Sequence, residues 1–267
     1  MPELPEVESA RSVLERAALG RLIVEVDDTD SYVCRPHQPG EIRSALLGRK
    51  LVAAHRRGKS LWCDTSEDGA VLGIHLGMSG KIVIADVDGG EIDGGDYWEG
   101  RRVPGDYRWS RFAVTFDDGG RMMLVDPRRL GRITLDPPVE RLGPDAATIG
   151  NAAFKKALAS GSAPVKARLL DQHAVAGIGN LLADEILWRA RVHPARHVDD
   201  LTPREVGRIF RATQSSVADA LKDGGVHTLS IIPFRHAGGL CPRDGAPMAR
   251  GAVGGRTSWW CSKEQVL

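Results

Sequence analysis

The sequence has little of several features that define whole classes of protein. Only four of its 267 residues are cysteine, which excludes a disulfide-dense scaffold and favours a reducing, cytoplasmic compartment. No apolar run approaches the roughly 20 residues of a membrane span, so we expect no membrane partner. The first residues lack a basic stretch followed by an apolar one, so we expect no signal peptide. A net charge of +1 gives no bulk signal for nucleic acid.

Arginine is nevertheless abundant and unevenly distributed. Residues 101–132 hold eight arginines against four aspartates, and residues 235–261 hold four arginines against one aspartate. Acidic residues concentrate near the N-terminus and in 86–99. Two basic segments that flank a neutral body fit a positively charged groove for nucleic acid, and they fit solvated surfaces equally well.

Eight short apolar runs, separated by glycine and aspartate turns, follow a predicted N-terminal helix over 5–19. Runs of this length are typical of a sandwich or barrel. They are 22–26, 50–55, 60–64, 70–75, 81–85, 111–116, 121–125 and 131–135. The acidic, glycine-rich stretch 86–106 predicts a mobile loop.

The pattern becomes helical from Asn151 onward. Thr202-Pro203-Arg204-Glu205 predicts a capping box, and residues 256–261 predict a strand. We therefore predict an α+β fold with four parts. These are a β-sandwich domain over 1–136, a linker over 137–150, a helical domain over 151–225 and a C-terminal hairpin over 226–267.

Pro2 and Glu3 are the first candidates for chemistry. Removal of Met1 would expose the secondary amine of Pro2, and an α-amino group is partly unprotonated and nucleophilic near neutral pH. Attack on a sugar carbon would give an iminium, an electron sink, and Glu3 could act as general acid or base. Proline and glutamate near a terminus are also common without any such role.

Three turns carry further candidates. Lys59 follows Gly58 and could reach a phosphate, while Met78 lies between two glycines and could wedge into a base stack. Arg128 and Arg129 follow Pro127 in a turn that could enter a duplex. Taken singly, each is explained as well by a surface lysine, a core methionine or a charged turn.

Residues 166–185 predict a helix that ends near Ala176, a tight turn at Gly177 and Gly179, and a second helix capped by Asn180. The free N–H groups at the start of the second helix would form a phosphate cradle.

Near the C-terminus, Cys241-Pro-Arg-Asp244 and Cys261-Ser-Lys-Glu264 have the frame of two zinc knuckles. The second cysteine of each pair is replaced by an acid, and structural zinc sites are rich in cysteine. We therefore expect neither zinc nor another cofactor, with the hairpin held by packing of Trp259 and Trp260.

Taken together, these segments resemble the bacterial formamidopyrimidine-DNA glycosylase and endonuclease VIII family over the whole chain. The matching motifs are 2–8, Gly58-Lys59, 75–80, 126–131, 142–144, 177–180 and 255–257. The resemblance implies a β-sandwich lobe, a helical lobe with a helix–two-turn–helix and a C-terminal finger, here zincless. It also implies double-stranded DNA with damaged bases or abasic sites as the partner. We expect a monomer in the bacterial cytoplasm, associated with the nucleoid.

Site roles follow from the resemblance, residue by residue. Pro2 is implied as the Schiff-base nucleophile, Glu3 as the catalytic acid, Glu6 as a supporting carboxylate and Lys59 as a phosphate ligand that assists catalysis. The implied DNA contacts are His75, Met78, Arg128, Leu130, Lys166, Asn180 and Arg256. The implied reaction is excision of oxidised bases, with oxidised or ring-opened purines favoured, followed by strand cleavage through β- and δ-elimination.

Two departures from the family pattern bear on the lesion. Leu130 replaces the usual phenylalanine, and the stretch 228–240 is too short for the loop that covers oxidised guanine. Hydantoins or oxidised pyrimidines therefore compete with 8-oxoguanine as the preferred lesion.

The same motifs also fit two functions without catalysis. One is a damage-binding protein on the same scaffold, which would follow if Met1 were retained and blocked the amine. The second is a general nucleic-acid-binding protein, which would bind undamaged DNA as well as abasic DNA.

Overall fold

A computed structural model describes residues 2–97, 103–159 and 161–267. It divides into two compact units. Of the described residues, Pro2 and those within Glu6–Val139 form the first unit, and Glu3–Pro5 with those within Glu140–Leu267 form the second. None of the helices within the described ranges is long and apolar enough to cross a membrane.

The first unit contains two antiparallel sheets and helix α1 (Leu4–Ala17), which includes two residues assigned to the second unit. Its strands are β1 Ile23–Asp27, β2 Leu51–Arg57, β3 Ser60–Thr65, β4 Leu72–His75, β5 Lys81–Ala85, β6 Glu91–Gly95, β7 Ser110–Phe116, β8 Arg121–Val125 and β9 Arg132–Leu135. One sheet has five strands in the order β1-β7-β8-β5-β6, and the other has four in the order β2-β3-β4-β9. A short helix, α2 (Glu41–Leu46), follows β1.

Alternate side chains of both sheets enter one core. Phe112 and Val114 come from the five-stranded sheet, and Leu61 and Cys63 come from the four-stranded sheet. The period of two in strand burial is what an antiparallel sandwich requires. The predicted sandwich, and with it the α+β class, is confirmed.

Strand β6 lies where the sequence predicts a mobile loop, so that prediction is wrong for Glu91–Gly95. The strand pairs with β5 from Lys81↔Gly95 to Ala85↔Glu91. It has no apolar alternation because it is an edge strand. Gly94 also lets it pass close to α1, since a Cβ there would lie 2.5 Å from the carbonyl oxygen of Ser9. Residues 98–102 of the predicted loop lie outside the described residues.

The second unit is helical and ends in a hairpin. Its helices are α3 Asn151–Leu158, α4 Val165–Leu170, α5 Asn180–Ala190 and α6 Pro203–Lys222, and its strands are β10 Met248–Val253 and β11 Arg256–Cys261. Ala146 and Ile149, from the predicted linker, pack in its core.

The hairpin packs on α5 through aromatic side chains. Trp259 lies with Trp188 and Met248 in one buried cluster. Trp260 is placed edge-on to His193, with 4.8 Å between ring centroids. Both tryptophans therefore contribute to the packing of the hairpin.

The predicted capping box starts α6. The Thr202 hydroxyl accepts a hydrogen bond from the Glu205 N–H, and the Glu205 carboxylate accepts one from the Thr202 N–H at 2.8 Å.

We expect Thr202→Ala to lower the free energy of unfolding by about 1 kcal/mol, because it removes the acceptor at the N-cap. Urea denaturation followed by circular dichroism measures the change.

Thr202→Ser keeps the hydroxyl and serves as the control. An alanine variant as stable as the serine variant would contradict the capping role.

Candidate active site and nucleic-acid interface

The carboxylate of Glu3 occupies the N-terminus of α5. Its Oε2 accepts hydrogen bonds from the N–H groups of Gly179 and Leu182 at 2.9 and 3.1 Å. Its Oε1 accepts one from Leu181 at 2.8 Å. Glu3 is fully buried. Backbone donors and the positive end of a helix both stabilise a carboxylate.

This arrangement corrects two predictions about the helical hairpin. Asn180 is the first residue of α5 rather than its cap, and the cap position is Gly179. Three N–H groups of the predicted phosphate cradle are taken by Glu3. The preceding helix, α4, also ends earlier than predicted, at Leu170.

Glycine is required at position 179 by the close approach of Glu3. A Cβ there would lie 2.2 Å from Cδ of Glu3. The neighbouring residue, Leu4, donates its N–H to the carbonyl of Gly177 at 3.2 Å. Glu3 and Leu4 are thus both fixed, and Pro2 is joined to them by a single peptide bond.

Asn180, directly after this cap, has a side-chain oxygen without a hydrogen-bond partner among the described residues. This oxygen, Oδ1, is buried. An amide oxygen accepts hydrogen bonds and does not donate them, so a phosphate contact from Asn180 would have to come from its side-chain NH₂ group. The role of Asn180 as a phosphate ligand stays a prediction.

In the first unit, His75 is the last residue of β4. Its Nδ1 accepts a hydrogen bond from the Gly77 N–H at 3.0 Å, which leaves the proton on Nε2. Desolvation, followed by the positive charges of Lys59 and Arg132, lowers the pKa of His75. His75 can therefore donate from Nε2 as a neutral ring. Lys59 itself lies in the tight turn between β2 and β3.

The turns that carry Met78 and Leu130 touch each other. A Cβ on Gly77 would lie 2.4 Å from the carbonyl carbon of Leu130, so only glycine permits the contact. Leu130 and Arg128 are exposed, and Met78 is partly exposed. Three predicted DNA-contacting side chains thus lie on two adjoining turns.

Asp126 is the buried carboxylate that organises these turns. Its Oδ1 accepts hydrogen bonds from the Ser79 hydroxyl at 2.5 Å and from the Arg128 N–H at 3.1 Å. Its Oδ2 accepts one from the Gly131 N–H at 2.6 Å. Asp126 begins the sequence motif 126–131, but the motif alone assigned it no role, although an aspartate before a proline is typical of a side chain that closes a turn.

Lys166 is fully buried, so the prediction that it contacts DNA is not retained. Its Nζ forms an ion pair with Asp184 at 2.6 Å and donates to the Thr257 carbonyl at 3.1 Å. Arg235 binds the other oxygen of Asp184 at 2.8 Å. Burial lowers the pKa of Lys166, while Asp184 acts in the opposite direction. The network joins α4 and α5 to β11.

The network supports the turn that presents Arg256. The turn residues Gly254 and Gly255 have φ values of 59° and 71°, as a two-residue hairpin turn requires. A Cβ on Gly254 would lie 2.9 Å from Cβ of Ala167. Arg256 itself is exposed next to this turn.

Pro2 and Glu6 are both buried. Both are assigned to the first unit, whereas Glu3 belongs to the second. Met1, whose removal would expose the Pro2 amine, lies outside the described residues.

Comparison with known proteins agrees with this architecture. Residues 1–133 match the formamidopyrimidine-DNA glycosylase N-terminal domain, and residues 142–230 match the H2TH domain of the same enzymes. A formamidopyrimidine-DNA glycosylase of Pelotomaculum thermopropionicum is 32% identical over 98% of each chain. The chain belongs to the formamidopyrimidine-DNA glycosylase family. This is a family of DNA glycosylases and AP lyases that act in base excision repair.

Solved structures of a glycosylase of this family show the same fold. The Lactococcus lactis Fpg in a complex with abasic-site DNA is 25% identical, with a TM-score of 0.81 over 98% of this chain and 99% of that one. The same Fpg in a complex with FAPY-dG-containing DNA is also 25% identical, with a TM-score of 0.82 over the same shares.

The C-terminal hairpin provides only part of the ligand set that a structural zinc ion requires. The ligand atoms of Cys241, Asp244 and Cys261 lie within 4.8 Å of one another. Glu264, at the fourth position, forms ion pairs with Arg243 and, at 3.4 Å, with Arg191. The Arg243 guanidinium also lies 4.0 Å from the Trp188 ring centroid. A structural zinc site closes with four ligands, so we derive no step through a metal.

We expect Gly179→Ala to displace the Glu3 side chain, because the new methyl group would overlap it. The variant should lose at least tenfold in strand cleavage on abasic DNA and unfold at a lower temperature, since a hydrogen bond to a charged group is worth about 1.5–3 kcal/mol. A gel cleavage assay and thermal denaturation measure the two effects.

Gly207→Ala, within α6, is the matched control. Among the described residues, a Cβ there meets only Arg211, whose Nη1 lies 3.5 Å away. It should raise stability by about 0.5–1 kcal/mol and leave cleavage unchanged. Equal activity of the two variants would show that the Glu3 cap is dispensable.

We expect chelation by EDTA to leave the thermal midpoint of the protein unchanged, because Arg243 already engages the carboxylate at the fourth position. Elemental analysis of the purified protein should find no stoichiometric zinc. One zinc per chain, with a fall in the midpoint after chelation, would contradict this expectation.

Proposed function

We propose that this glycosylase is bifunctional: it excises oxidised bases through a Schiff base on Pro2 and then cleaves the strand by β- and δ-elimination. The observation that carries the proposal is the fixed carboxylate of Glu3, held by three N–H groups in the residue directly after the amine. A nucleophile next to an oriented acid–base group is the arrangement that covalent catalysis requires.

In the first stage, the Pro2 nitrogen forms a bond to C1′ of the damaged nucleotide. The glycosidic bond breaks, and the base leaves with a proton. The amine loses its own proton, the bond from C1′ to the ring oxygen opens, and that oxygen is protonated. The product is an iminium that joins Pro2 to the open sugar.

In the second stage, the iminium withdraws electrons and acidifies the C2′ proton. Loss of this proton expels the 3′ phosphate, and loss of a second proton from C4′ expels the 5′ phosphate. Water then hydrolyses the iminium and frees Pro2. One amine serves both stages because the same electron sink is used in each.

The proposed roles of the carboxylates differ with their surroundings. Glu3 exchanges protons with the sugar and the leaving groups, because it adjoins the nucleophile in the chain. Glu6, which is 3% exposed, supports the amine, and Lys59 binds a phosphate and assists the chemistry. A buried carboxylate helps to retain a positive charge nearby, which suits an iminium intermediate.

We propose damaged or abasic double-stranded DNA as the partner. Support comes from the exposed or partly exposed side chains on the turns described above and from the DNA in the Lactococcus lactis complexes. Met78 and Leu130 would enter the gap that a flipped base leaves, together with Arg128. The proposed phosphate ligands are His75, Asn180 and Arg256.

The proposed lesion range includes hydantoins and oxidised pyrimidines as well as ring-opened purines. The stretch 226–240 forms two short 3₁₀ turns, Val226–Thr228 and Ile232–Phe234, and Ile231 between them donates its N–H to buried Glu185 at 2.8 Å. Because this segment is short and is hydrogen-bonded to buried Glu185, it is too short to form a loop that covers oxidised guanine. Leu130 also offers less stacking area than phenylalanine.

We expect Pro2→Gly to reduce lyase turnover strongly while binding to abasic DNA stays close to that of the parent, because the change affects the nucleophile and not the phosphate contacts. Borohydride trapping on an abasic duplex measures the covalent intermediate. Mass spectrometry of the N-terminus must first confirm that Met1 is absent.

Equal turnover of the variant and the parent would contradict the assignment of the nucleophile. Failure of the parent to trap, with Met1 absent, would indicate a protein that binds damage without cutting. The same assay on 8-oxoguanine, hydantoin and oxidised-pyrimidine duplexes ranks the lesions.

A further inference from the structure

An exposed tyrosine in the first unit is surrounded by arginines. Tyr32 is 46% exposed. The guanidinium carbons of Arg35, Arg129 and Arg132 lie 3.8, 5.7 and 5.9 Å from its ring centroid. We call these four residues the Tyr32 cluster.

Two of these arginines converge on one oxygen atom. Nη1 of Arg35 and Nη1 of Arg132 donate to the Tyr32 carbonyl at 2.5 and 2.8 Å. Two like charges at one neutral acceptor repel each other. In agreement with this, burial and then the charge of Arg35 lower the pKa of Arg132.

The nearby carboxylate neutralises the third arginine. Asp30 binds Arg129 through two hydrogen bonds, at 2.7 and 3.0 Å, and lies 3.9 Å from Arg111. Within the described residues, neither Arg35 nor Arg132 forms an ion pair with a carboxylate. The cluster therefore has a surplus of positive charge that an anion would relieve.

The position of the cluster indicates which anion. Arg129 directly precedes Leu130 in the turn that is organised by Asp126, and Arg132 begins β9 directly after that turn. The Tyr32 segment is tied to β9 by the hydrogen bond from the Ile133 N–H to the Val33 carbonyl at 3.0 Å. Planar guanidiniums beside an exposed ring are typical of surfaces that bind nucleic-acid strands.

We propose that the Tyr32 cluster binds a backbone phosphate of the DNA, through Arg35 and Arg132, in addition to the phosphate ligands named above. The inference rests on the proposed function for its partner, since DNA is the anion in question. Tyr32 supplies the carbonyl and the ring that align the two guanidiniums. The negative charge of the phosphodiester balances the positive charges of Arg35 and Arg132, because Asp30 is already paired with Arg129.

The test compares the salt dependence of DNA binding in Arg35→Gln, Arg132→Gln and a control, Arg16→Gln. Arg16 is exposed on α1, and its guanidinium donates to the Ser12 carbonyl. Fluorescence anisotropy on an abasic-analogue duplex and on an undamaged duplex gives binding constants at several salt concentrations. We expect the slope of log K against log salt to fall by about 1 in each cluster variant and to stay at the parent value in the control.

Thermal denaturation separates binding from a purely structural role. Removal of one repelling charge should leave the midpoint unchanged or raise it. Parent-like slopes in both cluster variants would overturn the proposal, and so would a lowered midpoint with an unchanged slope. Inorganic phosphate that removes the difference between variant and parent to the same extent on the abasic-analogue and the undamaged duplex would assign the site to free phosphate instead.

The test stays informative if the proposed catalysis fails. A parent protein that gives no trapped intermediate refutes the Schiff-base mechanism. The slope on undamaged duplex still reports the phosphate contact, because it depends on charge and not on chemistry at Pro2.

Discussion

The hydrogen bonds between the Glu3 carboxylate and the start of α5 are the interaction on which the proposed active site depends. A helix N-terminus leaves several N–H groups without partners, and three of them are satisfied here by one side chain from the opposite end of the sequence. The contact requires Gly179, since any side chain there would overlap Glu3. It also fixes the residue that follows Pro2. Under the proposed mechanism, this cap would hold the backbone beside the Pro2 amine in one conformation and so reduce the entropy lost when the amine attacks.

Asp126 has a comparable role in the first unit. It is fully buried, and its oxygens bind a hydroxyl and two backbone N–H groups of the turns that carry Met78 and Leu130. Arg128 and Arg129 of the same turn are exposed. A chain with a net charge of +1 can thus present locally positive surfaces, since carboxylates such as Glu3 and Asp126 are buried against backbone N–H groups.

Sequence patterns predict secondary structure correctly where the residues that stabilise an element lie close to it in the chain. The alternation in 60–64 and the capping box at Thr202 are examples, because their partners lie a few residues away or across one hairpin. Strand β6 was missed because its pairing with β5, rather than its own apolar content, makes it a strand. Lys166 was assigned to DNA by resemblance, but its ammonium is neutralised by Asp184, 18 residues away. The spacing of the two residues does not show that they meet.

The sequence by itself determined the family, the α+β class and the residues of the proposed site, because motifs and apolar periodicity are properties of contiguous segments. Only the tertiary structure decided which partner each polar group has. In the folded chain, N–H groups at the start of α5 bind Glu3 instead of a phosphate, and Lys166 is buried in an ion pair with Asp184. Among the described residues, Arg35 and Arg132 form no ion pair with a carboxylate. The physical reason is that hydrogen bonds and ion pairs depend on distances of a few ångströms between groups far apart in the chain.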